Sequence, residues 1–573
     1  STMTRIYDNS NLAESYAGVV TPLTASFARD LYDGVYRHFT AFMGVSASLR
    51  RTHEAMFGRM IVTIGYHLYY DIRNWYTLVS LLPGYRYNKS FFEQMLGIPP
   101  GAHVETELVQ ESFLGKVTAR VRLLLQIGLI CVVFLQMPFL VRRFNRRFDH
   151  AFSEFTRMNL STMSYEELCA HYQLVRRTLV RLWRVPIAND FAVMVSTGIA
   201  RALYSAWAPG SDFALQLRLA SKMQLAALDP GRLLISIVER IDSQPKLAAL
   251  FAGPTVAKEV YRTLCEEYAD TEVFRLIQAY IAQYGSRVPN ELKLEAPTLH
   301  ESPENSILML RALSATAGNL YRRRVGSAVE DNSLPVSGRF RRMVLSLILA
   351  WARRSIRYRE ETRLRRTQIF GHARQVFLSI GDRLAQAGTL SERTDVLFLT
   401  AEEMCAGVQS SWKDVVSARK QEYALWRTIS TPSRIESDDS ILDIERRVRA
   451  EPVRHTPSTA AVVVQGVVAS RTDEMVVHGE AWVLREFDGA ADFHDKILIT
   501  RHTDPGWTVI FPFVRAIVVE RGGILSHASI VAREMNIPCI IGAVGATDSI
   551  PQGAAVSLDL HTGLVTVRPT KNA

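Results

Sequence analysis

A chain of 573 residues with 48% hydrophobic and 22% charged side chains is too long for one core and too apolar to stay unfolded. About two to four folded domains are expected. Its 67 basic residues exceed its 57 acidic ones by 10, which favours an anionic partner: a nucleotide, a phosphorylated intermediate, an acidic protein face or a membrane surface.

Residues 1–430 read as a mainly helical domain. Apolar residues recur at three- and four-residue spacing, with Arg and Glu between them, over Leu168 to Val185 and Leu345 to Leu384. Turn chemistry breaks the pattern at Leu82-Pro-Gly84, Ile98-Pro-Pro-Gly101, Ala208-Pro-Gly210 and Asp229-Pro-Gly231. From Leu123 to Val141 no residue is charged, and arginines flank both ends. That run is just long enough to span a bilayer. Gln126, Gln136 and Pro138 inside it favour a buried helix at the centre of the helical domain, so membrane contact is not expected. The aromatic-rich Tyr66 to Tyr70, with Trp75 and Tyr76, reads as core packing, with the lining of an apolar substrate pocket as the alternative. Arg359, Glu360 and Arg363 read as a solvated helix face, with a part in acceptor chemistry as the alternative.

Residues 431–459 are rich in Ser, Asp, Pro and Arg and read as a linker holding one short helix, Ser440 to Arg449. Residues 460–573 alternate β and α patterns. Strands are predicted over Val462 to Val468, Glu480 to Arg485, Lys496 to Thr500, Ala516 to Val519 and Pro538 to Gly542, with a hairpin from Ala554 to Leu558 and Leu564 to Val567. Ser526 to Met535 suits a helix. The fold class is therefore α + α/β, a large helical domain followed by a small β/β/α domain. The five cysteines are far apart without a CxxC pair, which reads as free thiols in a cytoplasmic protein.

The chemistry concentrates in Arg521-Gly-Gly-Ile-Leu-Ser-His-Ala-Ser-Ile-Val-Ala-Arg-Glu534. Gly522 and Gly523 allow a tight turn and a close backbone approach to a ligand. Ser526 is a suitable helix N-cap, and the free amides of the first turn attract an anion. His527 then sits in the first turn, where a neutral imidazole is a competent nucleophile. Arg533, six residues on, is a candidate for neutralising phosphate oxygens. Taken alone, the pattern more often describes a capped surface histidine.

The stretch from Gly522 to Gly542 is similar to the mobile phosphohistidine domain of the phosphoenolpyruvate-utilising enzymes, the family of phosphoenolpyruvate synthase and rifampicin phosphotransferase. Thr503-Asp-Pro-Gly-Trp507 and Gly545-Ala-Thr547 extend the likeness over about Val464 to Val567. The resemblance implies a swivel domain in which His527 carries a phosphoryl group contacted by Arg533, with Gly522, Gly523, Ser526 and Thr503 around it. Ser529 stands where a small apolar residue is usual, and Val468 to Thr472 lacks the family's Ser-Pro-Gly turn.

Weaker likenesses lie upstream. Tyr7 to Asn11, Glu14 to Tyr16 and Thr21 to Thr24 resemble the opening of the family's helical substrate-binding region, and Arg357 to Arg363 and Asp395 to Glu403 its closing segments. Tyr284-Gly-Ser-Arg-Val-Pro-Asn-Glu291 resembles that region's Gly-His-Arg-Gly-Pro-x-Glu signature, with Ser286 where His is usual. Arg287 and Glu291 are thus candidates for phosphoryl binding and for deprotonating an acceptor, with a buried ion pair joining helices as the alternative.

No stretch before the swivel reads as an ATP-grasp or Walker A nucleotide site. The resemblance therefore implies ATP and Mg2+ acting through an ATP-grasp partner, either a separate subunit or a part missing from a fragment; the separate subunit is expected. The function expected is phosphotransfer from His527 to a small-molecule hydroxyl or carboxyl acceptor, a transfer that in some relatives activates the acceptor for condensation or dehydration. The alternative is a non-catalytic binding or regulatory module that retains the swivel. No metal site and no nucleic-acid partner are expected.

Overall fold

The structure is a computed structural model. It describes residues 4–82, 113–207, 229–313, 336–407, 412–450, 463–484 and 494–567, together with 215 and 219, and without 11, 13–14, 289, 473, 504–506, 508–509 and 523–525. The chain is α+β, mostly helical with a small β-rich portion near its C-terminus. It divides into two compact units: residues 1–198, 293–295 and 369–454 in the first, and 199–292, 296–368 and 455–573 in the second. Four helices matter below: α1 (Phe113–Arg157), α2 (Glu272–Tyr284), α3 (Arg339–Gln386) and α4 (His527–Glu534).

The first unit holds a sheet that helical periodicity does not reveal. Strands β1 (Arg5–Asp8), β2 (Ile61–Ile64), β3 (His67–Asp71) and β4 (Arg434–Ser437) are ordered β2-β3-β1-β4, all antiparallel. The aromatic run Tyr66 to Tyr70 thus lies on a hairpin, whose turn places Gly65 at φ +54° and Tyr66 at φ +61°. Gly65 is required: a Cβ there would meet the Trp426 ring at 2.5 Å. The segment read as a linker contributes β4 and the helix Ile441–Ala450.

Helix α1 contains the uncharged run from Leu123 to Val141. The expectation of a buried helix holds on one side only. Ile130, Val133, Phe134, Met137 and Val141 are buried, whereas Leu124, Leu125, Leu135 and Phe139 are exposed.

In the second unit eight strands form one sheet. They are β5 (Val463–Gln465), β6 (Val467–Ser470), β7 (Val476–Leu484), β8 (Ile497–Thr500), β9 (Ala516–Val519), β10 (Cys539–Ile541), β11 (Ala555–Asp559) and β12 (Leu564–Val567). Their order is β5-β12-β11-β7-β8-β9-β10-β6, with β7 to β10 parallel. Every residue of β8, β9 and β10 is buried, as expected of parallel strands covered on both faces. The end members β5 and β6 are one segment interrupted only by Gly466, so the sheet returns on itself. The Gly466 amide donates to the Gly563 carbonyl at 2.9 Å. A closed sheet has no free edge and gives a firm base for the loop after β9.

Closure makes Gly466 sensitive, because a Cβ there would lie 2.5 Å from Ile540 Cγ2 and 2.8 Å from the Ile541 carbonyl oxygen. Gly466→Val should cost about 1–3 kcal/mol of stability through overpacking. Urea denaturation followed by the fluorescence of Trp482 and Trp507 would measure the loss, and an unchanged midpoint would contradict this account of closure.

Candidate active site around His527

Strand β9 delivers the chain to Gly522, whose φ of 128° is a backbone state that glycine adopts readily. Ser526 then caps α4, its hydroxyl accepting from the Ser529 amide at 3.3 Å and lying 2.9 Å from the Ser529 hydroxyl. The serine at 529 therefore completes the cap. His527 opens the helix as its first residue.

His527 is buried, with 1% of its side chain exposed. Its Nδ1 lies 2.8 Å from Oε2 of Glu360, whose side chain is fully buried on α3. Burial lowers the imidazole pKa to about 4, outweighing the Glu360 carboxylate; Arg363 and Arg287 lower it further. Burial alone would raise the Glu360 pKa, yet Arg363, His527 and Arg359 hold it below the usual carboxylate range. At neutral pH the contact is thus a hydrogen bond from a neutral Nδ1–H to a carboxylate. That bond selects one tautomer, in which Nε2 is the deprotonated, nucleophilic nitrogen.

The reading of Arg359, Glu360 and Arg363 as a solvated face is overturned at its centre. Glu360 Oε1 faces Arg363 Nη1 at 3.4 Å and Arg359 Nε at 3.7 Å, inside the unit. Periodicity along α3 could not reveal this, because the partner that buries Glu360 comes from α4, 167 residues away.

Arg287 and Glu291 follow α2 in a turn where Asn290 has φ 62°. Both are buried. They do not close an ion pair: among the described residues Arg287 Nε, Nη1 and Nη2 have no hydrogen-bond partner. A guanidinium buried in this way costs several kcal/mol unless an anion meets it. Its charge is felt by both His527 and Glu291. Glu291 is raised above the usual carboxylate range by burial, against the opposing pull of Arg287.

Arg533 is buried, and its Nε donates to the Ala469 carbonyl of β6 at 2.6 Å. Six residues correspond to about 600° of helical rotation, so it leaves α4 roughly 120° away from His527. That bond braces the helix against β6. Thr503 is buried, and Gly523 lies outside the described residues. The groups around His527 are mainly guanidiniums, a set suited to phosphoryl oxygens; Mg2+ requires oxygen ligands.

Residues 493–563 match the family described as PEP-utilising enzyme, mobile domain, and residues 187–360 match the rifampicin phosphotransferase fourth domain. The chain thus shares two domains with the PEP-utilising, rifampicin phosphotransferase-like proteins. The second match takes in Arg287, Glu291 and, at its last residue, Glu360. The chain is 31% identical over 196 residues to rifampicin phosphotransferase of Bacillus subtilis, covering 34% of this chain and 21% of that protein. It is 28% identical over 229 residues to the Bacillus cereus protein of that name, covering 40% and 24%. With that of Streptomyces sviceus it shares 25% over 352 residues, covering 59% and 39%. The chain thus spans well under half of these relatives' length.

The tautomer is open to measurement. Nitrogen NMR of 15N-histidine protein should show His527 neutral and Nδ1-protonated from pH 8 down to about 5, since its pKa is about 4. A His527 ring that titrates near its ordinary value of about 6.5 would contradict the geometry. The sign for stability follows. The lowered pKa means the unfolded state binds the proton first, so stability is lost as pH falls from about 6.5 towards about 4.

Proposed function

We propose that this chain is a phosphohistidine phosphotransferase component in which Nε2 of His527 carries the phosphoryl group. The observation that carries the reading is the buried Nδ1–H hydrogen bond to Glu360, with the guanidiniums of Arg363 and Arg287 acting on the same ring. The names of the relatives support phosphoryl transfer as the reaction class.

In the charging step the Nε2 lone pair attacks phosphorus and the bond to the nucleotide's leaving oxygen breaks. ATP, with its Mg2+, is held by an ATP-grasp partner subunit. In the transfer step an acceptor oxygen attacks phosphorus, the P–N bond breaks, and Nε2 recovers its electron pair. Glu291 takes the acceptor's proton, its raised pKa making it a stronger base than an ordinary carboxylate. Arg287 binds the phosphoryl oxygens during transfer. The acceptor is a small molecule bearing a hydroxyl or carboxyl group.

The proposed division of labour assigns acceptor binding to residues 1–430, connection to 431–459, and the carrier to 460–573. Gly522, Gly523, Ser526 and Thr503 are assigned to binding the phosphoryl group, with Arg533 supporting that end of the domain.

Incubation with labelled ATP and an ATP-grasp partner should give acid-labile, base-stable label on the chain, absent in His527→Ala. Glu360→Gln should slow labelling by on the order of 10²–10⁴-fold, the penalty for losing a tautomer-fixing carboxylate. Arg287→Ala should keep the label but slow its transfer to the acceptor. Label that persists in His527→Ala would overturn the assignment.

A further inference from the structure

Helix α1 changes character along its exposed side. From Leu124 to Phe139 that side is apolar: Leu124 is 68% exposed, Leu125 70%, Leu135 81% and Phe139 61%. Val132 adds to it. Sixteen residues of helix give this face a length of about 24 Å. Where it stops, Arg142, Arg143, Arg146 and Arg147 begin, all exposed. No Asp or Glu lies between Glu111 and Asp149.

The opposite side of the helix is committed to the protein. Ile130, Val133, Phe134, Met137 and Val141 are buried, and Gln126 Nε2 donates to the carbonyls of Met43 and Leu81, each at 3.3 Å. A helix held in this way cannot be surrounded by lipid. It can lie in an interface with one face immersed.

An apolar strip of this length, most of it uncovered, is more apolar than water-facing helices are. What covers it must tolerate four neighbouring arginines. A second copy docked through the same face offers them no carboxylate, since the face has none. An anionic phospholipid surface satisfies both parts: acyl chains meet the leucines, and headgroup phosphates meet the guanidiniums. We propose that α1 is a monotopic membrane-docking helix, inserting its Leu124 to Phe139 face into the interface of an anionic bilayer with Arg142, Arg143, Arg146 and Arg147 on the headgroups.

The test is flotation of the full chain with vesicles of phosphatidylcholine alone or mixed with phosphatidylglycerol. Binding should be strong only with the anionic mixture and should weaken as salt rises. Replacing the four arginines with Gln should cut partitioning by about fivefold each, several hundredfold together. Leu124→Glu with Leu135→Glu should abolish it while leaving the thermal midpoint unchanged, because both side chains are exposed.

Cys131 is exposed on this helix. In a Cys265→Ser background, a polarity-sensitive dye on Cys131 should shift to the blue on adding anionic vesicles. Absence of flotation with an unshifted dye would overturn the proposal. So would flotation indifferent to all these variants. A dimer in sedimentation that Leu135→Glu dissociates, without vesicle binding, would assign the face to a second copy instead.

Discussion

The hydrogen bond between His527 Nδ1 and Glu360 joins the start of α4 to the middle of α3, and the rest of the site is arranged around it. Both groups are removed from water, and for a carboxylate that removal costs several kcal/mol. Arg363 and Arg359 offset the cost on one side of Glu360, and the imidazole N–H offsets it on the other. The result is a histidine that stays neutral at physiological pH, with its proton confined to one nitrogen. A surface histidine would exchange tautomers freely and be partly protonated near neutrality. Here burial and hydrogen bonding act together on the ring's chemistry.

The scaffold explains why the ring can be held so closely. The sheet beneath α4 closes on itself through Gly466, and its parallel strands β8, β9 and β10 are buried throughout. The Ser526 cap fixes where α4 begins, and Arg533 ties its far end to β6. Among the described residues the guanidinium of Arg287 has no hydrogen-bond partner, and its charge acts on His527. A cation buried without a partner beside a nucleophilic nitrogen is costly to folding, and such cost is commonly concentrated where an anionic ligand will bind.

Much of the second unit was legible from sequence. Strands β9 and β12 run between the residues that alternation predicted, and α4 begins one residue after its predicted cap. These elements are short, local in pattern and bounded by turn residues. The sheet of the first unit was not legible, because β1 pairs with β4 across more than 400 residues and neither is long enough to show a period. Glu360 escaped for a different reason. A carboxylate amid arginines on a long helix looks solvated until the element packed on it is known. The exposed face of α1 was misjudged because hydropathy reports what a helix prefers to contact, and says nothing of whether the fold supplies enough surface to cover it.

In the proposed mechanism Glu360 holds the Nδ1 proton and leaves Nε2 to carry phosphate. The direct measurement is the position of the phosphoryl group on His527, read by phosphorus–nitrogen coupling in the 15N-histidine phosphoprotein. Coupling to Nε2 is the predicted result. Coupling to Nδ1 would show that the Glu360 contact is broken in the charged state, and would contradict the mechanism.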